Sequence, residues 1–265
     1  MMPTLMPSPT AHVAAKRPRR PRRQKNAGAG HATQHARSQR RPRRQTPLDN
    51  RGLPWFVRRL RAHLADKAPP VVTLIAQQAH DPFRVLVSTL LSARTKDDVT
   101  ARASARLFAV AADPAAVAAL AVRRLERLIF PVGFYRTKAR HLREACRVLV
   151  DRFGGRVPDT IDALVELPGV GRKTANLVLV EGFGKPAICV DTHVHRIVNL
   201  WGYVATRTPE ETETALRRAL PRRYWLDLNR LLVSFGQHTC VPLSPRCSRC
   251  PIEERCPRIG VVRCR

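Results

Sequence analysis

From Leu53 onward the sequence predicts an all-α fold. Three observations carry that reading. Apolar residues recur at helical spacing in nearly every segment after Leu53. Helix-opening pairs punctuate the chain at Asp81-Pro82, Asp113-Pro114, Asp159-Thr160 and Thr208-Pro209. No run alternates apolar with polar residues as a half-buried strand would, and no Asn-Gly hairpin turn occurs.

Taken in order, Trp55 to Ala65 is amphipathic. Asp81-Pro82 opens the strongly apolar stretch Phe83 to Leu91, which is expected to be a buried helix. Asp97 to Val110 forms the next helix, and Asp113 caps another that carries Pro114 in its first turn. Thr137 to Phe153 is long and ends at Gly154-Gly155. Asp159-Thr160 starts a short helix that ends at Glu166. The apolar run Ala175 to Val180 follows a glycine-rich turn, and Val190-Asp191-Thr192-His193 sets a carboxylate at a helix start. Thr208-Pro209-Glu210-Glu211 has the pattern of a capping box. Tyr224 to Phe235 is the last long periodic run. Connections between these segments are short, and there is no internal repeat.

The 265 residues carry a net charge of +28, which favours a polyanionic partner, with nucleic acid the first candidate. Residues 1–50 form a low-complexity Arg/Pro/Gln/Ala/His arm with 12 Lys and Arg and one acid, Asp49. Such a segment lacks the apolar surface to offset ordering entropy. It is expected to be disordered and to add salt-sensitive, sequence-blind affinity for phosphates. The other 36 basic residues still outnumber 19 acidic ones by 17, so the folded part is basic in its own right. No segment approaches the roughly 18 apolar residues of a membrane span. Pro3, Pro7 and Pro9 interrupt any signal-peptide core, so a cytoplasmic, bacterial, nucleoid-associated protein is expected.

The most informative stretch is Leu167-Pro168-Gly169-Val170-Gly171-Arg172-Lys173-Thr174. Two glycines two residues apart let the backbone turn tightly and leave bare amides. With the positive end of the following helix, those amides suit a phosphate. Lys173 then falls in the first turn of that helix, where an ammonium is unfavourable beside the dipole, so its placement there favours a functional role. Eighteen residues after Lys173 comes Asp191. Amides for phosphate, one amine and one carboxylate together suggest chemistry on nucleic acid. As a helix cap, Asp191 needs no chemistry at all, and His193 either orients it or is an ordinary helix residue.

Of seven cysteines, Cys146 and Cys189 sit in apolar context as small buried hydrophobes, and Cys264 is in the tail. Cys240, Cys247, Cys250 and Cys256 form a C-x6-C-x2-C-x5-C cluster. Four thiols so close together, without a secretion signal, point to metal rather than to disulfides. Soft sulfur donors select zinc or an iron–sulfur cluster, and spacing alone does not choose between them. Four ligands leave no open position, so the role is structural. The loop they pin also carries Arg246 and Arg249, which can meet phosphates.

The order of helix, Leu-Pro-Gly-Val-Gly-Arg-Lys hairpin, Val-Asp-Thr-His and C-x6-C-x2-C-x5-C resembles the endonuclease III family of helix-hairpin-helix DNA glycosylases, from about residue 55 to about residue 258. The resemblance implies two helical domains with a DNA-binding cleft between them. A six-helix domain with the hairpin would span 75–185, and a cluster domain would span 51–74 plus 186–265. It implies a [4Fe–4S] cluster on Cys240, Cys247, Cys250 and Cys256. It further implies a monomeric base-excision-repair enzyme, both DNA N-glycosylase and apurinic/apyrimidinic-site lyase, that removes oxidised pyrimidines from duplex DNA. The nucleophile falls on Lys173 and the aspartate on Asp191. Contacts to DNA fall on Arg94, Phe134, Gly169, Val170, Gly171, Arg172 and His193.

Two departures from the family pattern stand out. The family often has glutamine where this chain has Arg94, a side chain that enters the gap left by an extruded base. The position that often carries a leucine wedge is Phe134, and a phenyl ring can intercalate at least as well. Two other functions fit parts of the pattern. A monofunctional mismatch glycosylase, acting on adenine or on thymine or uracil, resembles this chain but generally lacks a lysine at the hairpin helix. A non-catalytic DNA-binding or redox-sensing protein would have no use for Lys173 paired with Asp191.

Overall fold

The computed structural model describes residues 46–265. Among them are twelve α-helices, three short 3-10 turns and no strand, so the all-α expectation holds. The expected arm lies outside the described residues except at its end. There Leu48 is buried and its N–H donates to the Trp201 carbonyl, so packed chain begins before residue 50.

In chain order the helices are α1 (Leu53–Leu64), α2 (Val71–Ala79), α3 (Pro82–Ser92), α4 (Asp97–Phe108), α5 (Pro114–Ala119) and α6 (Val122–Ile129). They continue with α7 (Tyr135–Phe153), α8 (Ile161–Val165), α9 (Arg172–Phe183), α10 (Thr192–Leu200), α11 (Pro209–Ala219) and α12 (Leu228–His238). The start signals act as expected. Asp81 accepts from Phe83 N at 2.8 Å, Asp113 from Ala116 N at 2.8 Å, and Thr160 from Ala163 N at 3.4 Å. Thr208 accepts from Glu211 N at 3.2 Å. The return bond of that capping box is displaced by one residue: the Glu211 carboxylate accepts from Arg207 N, just before the cap.

Three features depart from the sequence expectation. Helices α2 and α6 were not anticipated, because Pro70 and Ala121 precede them and neither has a side chain to cap a first turn. Helix α7 begins two residues early, after Phe134 in the left-handed region. The run Tyr224 to Phe235 is broken: a 3-10 turn covers Arg222–Tyr224, the Trp225 indole donates to the Leu220 carbonyl at 2.9 Å, and α12 starts only at Leu228.

Apolar side chains gather into two clusters. The first is built around α3, whose Phe83, Val85, Leu86, Val87, Leu90 and Leu91 are all buried, and α9 packs along it with α2, α4 and α7. Burial on every side explains why that stretch reads as continuously apolar. The second cluster joins α1 to α10, α11 and α12, with Phe56 and Trp201 edge to face at 5.1 Å. The extended segment between α9 and α10 serves both: Ala187 and Cys189 belong to the first cluster, Ile188 and Val190 to the second. No described helix is long and apolar enough to cross a membrane.

Leu86 is fully buried in the first cluster, so Leu86→Ala is expected to lower the unfolding free energy by about 2–5 kcal/mol, as measured by urea denaturation.

Candidate active site

The glycine-rich turn folds as a hairpin between α8 and α9. Val170 N donates to the Leu167 carbonyl at 3.0 Å, and Gly169 takes φ +81°. That angle suits glycine, and a Cβ there would also meet the His141 ring at 3.0 Å. Gly171 is the N-cap of α9, and no side chain caps this helix. The first-turn N–H groups of α9, which no helix can satisfy internally, therefore face outward beside Gly171, where a Cβ would meet nothing within 4 Å.

Lys173 stands in that first turn. Its carbonyl is tied to the segment that carries the aspartate, because the Cys189 thiol points at it across 3.5 Å. The Cys189 carbonyl in turn accepts from the buried Asn229 amide at 3.1 Å. Burial pushes the Cys189 thiol up to about 12, so it is a neutral packing group and not a nucleophile. Two residues on, Asp191 caps α10, one carboxylate oxygen accepting from Val194 N at 2.8 Å.

Lys173 and Asp191 line one cleft of about 340 Å³. Arg94, Thr95, Asp97, Thr192, His193, Asn229 and Gln237 line it too, with apolar walls from Val71, Leu177 and Val233. A space of this size, mostly polar and lined by both a lysine and an aspartate, can admit one nucleoside-sized group.

The other expected residues are distributed around it. His193 packs against Gly236 of α12, with its Nδ1 buried and unpartnered. Burial lowers its pKa, while the Asp191 charge acts in the opposite sense. Arg172 turns away to α11, where Glu213 accepts from it at 2.9 Å; Glu213 also holds Arg217 at 2.9 Å, and Arg217 donates to the Asn176 amide oxygen. Although burial works against ionisation, these two guanidinium partners hold the Glu213 carboxyl below its usual range. Phe134 is 63% exposed, so it is not a core residue. The Arg94 guanidinium lies over its ring at 5.4 Å.

Cys240, Cys247, Cys250 and Cys256 line a second pocket, walled by Leu200, Trp201, Phe235 and Ile252. All four thiols are free. Among the described residues, no three Cys, His, Asp or Glu side chains are grouped as ligands of a metal ion. The donor set nevertheless fits a thiolate-bound group. Burial pushes the Cys250 thiol up to about 12 and Cys256 up to about 11, so thiolates persist there only beside a positive centre. Arg196 supplies one such charge, donating to the Cys240 sulfur at 3.4 Å.

Sequence reasoning passed over Asn229, Val233 and Gln237, which reach the cleft from one face of α12. Their spacing of four was a readable signal, with a buried Asn inside an apolar run. Asp97 was also missed as a cleft residue. It accepts from Val71 N at 3.2 Å and from the Gln237 amide at 3.4 Å.

Residues 87–222 match the family model of the HhH-GPD superfamily base excision DNA repair protein. Endonuclease III of Thermotoga maritima is 52% identical over 176 residues, which is 66% of this chain and 83% of the relative. The chain belongs to the endonuclease III family. Endonuclease III of Escherichia coli K12 is 39% identical over 175 residues, again 66% of this chain and 83% of the relative. A trapped endonuclease III–DNA covalent intermediate superimposes with a TM-score of 0.70 at 32% identity, covering 79% of this chain and 96% of the other. A non-covalent endonuclease III–DNA complex gives 0.71 at 33% identity, covering 79% and 95%. Membership makes this chain a base-excision-repair DNA glycosylase and lyase.

The cap and the charge of Asp191 can be separated. Asp191→Asn, which keeps an acceptor for Val194 N, is expected to leave stability nearly unchanged. Asp191→Ala is expected to lose about 1 kcal/mol. Urea denaturation of the two variants measures the difference.

Proposed function

We propose that this glycosylase removes oxidised pyrimidines from duplex DNA through a covalent bond to Lys173 and then nicks the strand by β-elimination. The observation that carries the proposal is the shared cleft: a lysine and an aspartate 18 residues apart line one largely polar space. A base stacked in a duplex is out of reach, so it must be swung out, at a cost of about a few kcal/mol. Of the hairpin amides Val170 to Lys173, that of Val170 is taken by the Leu167 carbonyl, and those of Gly171 to Lys173 would hold the backbone beside the lesion without reading sequence. Arg94 and Phe134 would enter the gap in the duplex, while Arg172 and His193 flank the hairpin and the cleft.

In the chemical step the Lys173 lone pair attacks sugar C1′. The glycosidic bond breaks, its electrons leave with the base, and the base gains a proton. The nitrogen gives up a second proton and its lone pair closes a C1′=N bond as the C1′–O4′ bond opens and O4′ takes a proton; the resulting Schiff base acidifies C2′. Loss of that proton forms a double bond as the C3′–O3′ bond breaks, releasing the 3′ phosphate. Asp191 would receive the proton that Lys173 sheds and oppose positive charge developing on the sugar. One of its oxygens stays on Val194 N, which fixes the other relative to the cleft.

Cys240, Cys247, Cys250 and Cys256 would hold a [4Fe–4S] cluster. When bound, the cluster supplies four metal–thiolate bonds that cross-link the loop after α12. That loop also carries Arg246, whose guanidinium donates to the His238 carbonyl at 3.2 Å, and Arg249. Two helical domains, 75–185 and 51–74 plus 186–265, would follow the two apolar clusters except at α2, whose Val71 and Val72 join the first cluster, and a monomer would hold DNA between them. The setting would be the bacterial cytoplasm, at the nucleoid.

Borohydride added to wild-type protein on thymine-glycol duplex is expected to trap a covalent complex, with the adduct on Lys173 by mass spectrometry. Lys173→Ala is expected to bind this DNA and trap none. Asp191→Asn should keep binding and lose roughly 10²–10⁴-fold in turnover. Base release without trapping would identify a monofunctional enzyme instead. Anaerobically purified protein is expected to be brown and to contain iron; zinc without iron would refute the cluster.

A further inference from the structure

Arg94 and Phe134 come from separate turns, one after α3 and one before α7, and both adopt left-handed backbone angles, φ +52° and +57°. L side chains rarely hold that conformation unless their surroundings fix it. Here the surroundings converge on one side chain. The Lys138 ammonium, from the first turn of α7, donates to the Leu91 carbonyl at 2.8 Å and the Ala93 carbonyl at 2.6 Å, and reaches the Thr95 hydroxyl at 3.4 Å. Those carbonyls close the C-terminal end of α3, which a cation complements.

The same hydroxyl joins the second turn. Thr95 Oγ1 accepts from Gly133 N at 3.1 Å and donates to the Ala93 carbonyl at 3.2 Å. At Gly133 the two turns touch so closely that a Cβ would stand 2.5 Å from the Arg94 carbonyl oxygen. The Arg94 guanidinium then stacks on the outward-facing Phe134 ring.

We infer that Lys138 is a positioning residue that locks these two turns together, so that Arg94 and Phe134 enter a duplex as one wedge. The inference rests on the reading that both side chains fill the gap in the duplex. Lys138 is half-buried, and burial lowers its ammonium to about 8, so it remains mainly the charged donor at neutral pH. It lies outside the cleft that holds Lys173 and Asp191, and acts on DNA only through the turns it ties.

The test uses the full-length protein and a duplex with a tetrahydrofuran abasic analogue opposite 2-aminopurine, whose fluorescence reports unstacking and needs no chemistry. Wild type is expected to raise the fluorescence on binding. Lys138→Met should lower that rise to the level of the Arg94→Ala, Phe134→Ala double variant, and adding it to the double variant should change nothing more. Lys138→Arg, which keeps a cation with several donors, should restore most of the rise. Thr95→Val, which removes the shared hydroxyl at nearly constant shape, should reproduce the loss if Lys138→Met does not fold. A full rise with Lys138→Met, or with Thr95→Val in its place, would overturn the proposal. So would a further loss on top of the double variant, because the lysine would then act elsewhere. Base release from thymine-glycol duplex by wild type is scored separately and bears only on the glycosylase reading. On that substrate Lys138→Met is expected to be slower by roughly 10–100-fold.

Discussion

Four consecutive side chains between α9 and α10 set the geometry on which everything else depends. In an extended chain, neighbours point to opposite sides. Ala187 and Cys189 therefore enter one apolar cluster while Ile188 and Val190 enter the other. A slip of one residue would send each side chain into the opposite cluster, whose space it does not match, so the register of this segment is fixed from both sides at once. Its polar fittings are equally specific: the Cys189 sulfur meets the Lys173 carbonyl, and the Cys189 carbonyl meets Asn229. Asp191 is thereby held on the same cleft as Lys173, the one on the cap of α10 and the other in the first turn of α9.

Of the two adjacent cations of the hairpin, Lys173 lines the cleft and Arg172 does not. Arg172 precedes Lys173 directly, yet its guanidinium is drawn to Glu213, which also gathers Arg217. The carboxylate of Glu213 is largely buried between them. This pairing orients the N-terminal end of α9 against α11. Asp191 illustrates the same economy from the acidic side: one oxygen completes a helix, and the group as a whole still borders the cleft.

Much of this was legible before the structure. Caps at Asp81, Asp113, Thr160 and Thr208 are short-range chemistry, so helix starts that use them could be read directly. Helices α2 and α6 lack those signals and owe their existence to burial against α3, α4 and α7, which is long-range information. That Lys173 and Asp191 share a cleft, and the four cysteines a pocket, was legible because motif spacing marks them. What surrounds them was legible only in part: the spacing of Asn229, Val233 and Gln237 marks one helix face, but that this face and Asp97 border the cleft follows from the packing of α12 and α4 beside it. The tie between Arg172 and Glu213 spans 41 residues and leaves no local trace. Even the segment 187–190 has a period-two pattern invisible to a hydropathy scan, since both of its faces are apolar.

The second apolar cluster is assembled from both ends of the described chain: Leu53, Phe56 and Leu60 pack with Trp201, Phe235 and Ile252. The first is continuous in sequence from Val71 to Cys189. On the ribosome the continuous cluster can condense as soon as its last residues emerge. The oily face of α1 has no companion until Ile188 to Trp201 have been made, and α12 and Ile252 complete its cover later still. That interval is a window for chaperone capture, and the thiol loop is among the last parts of the molecule to take shape.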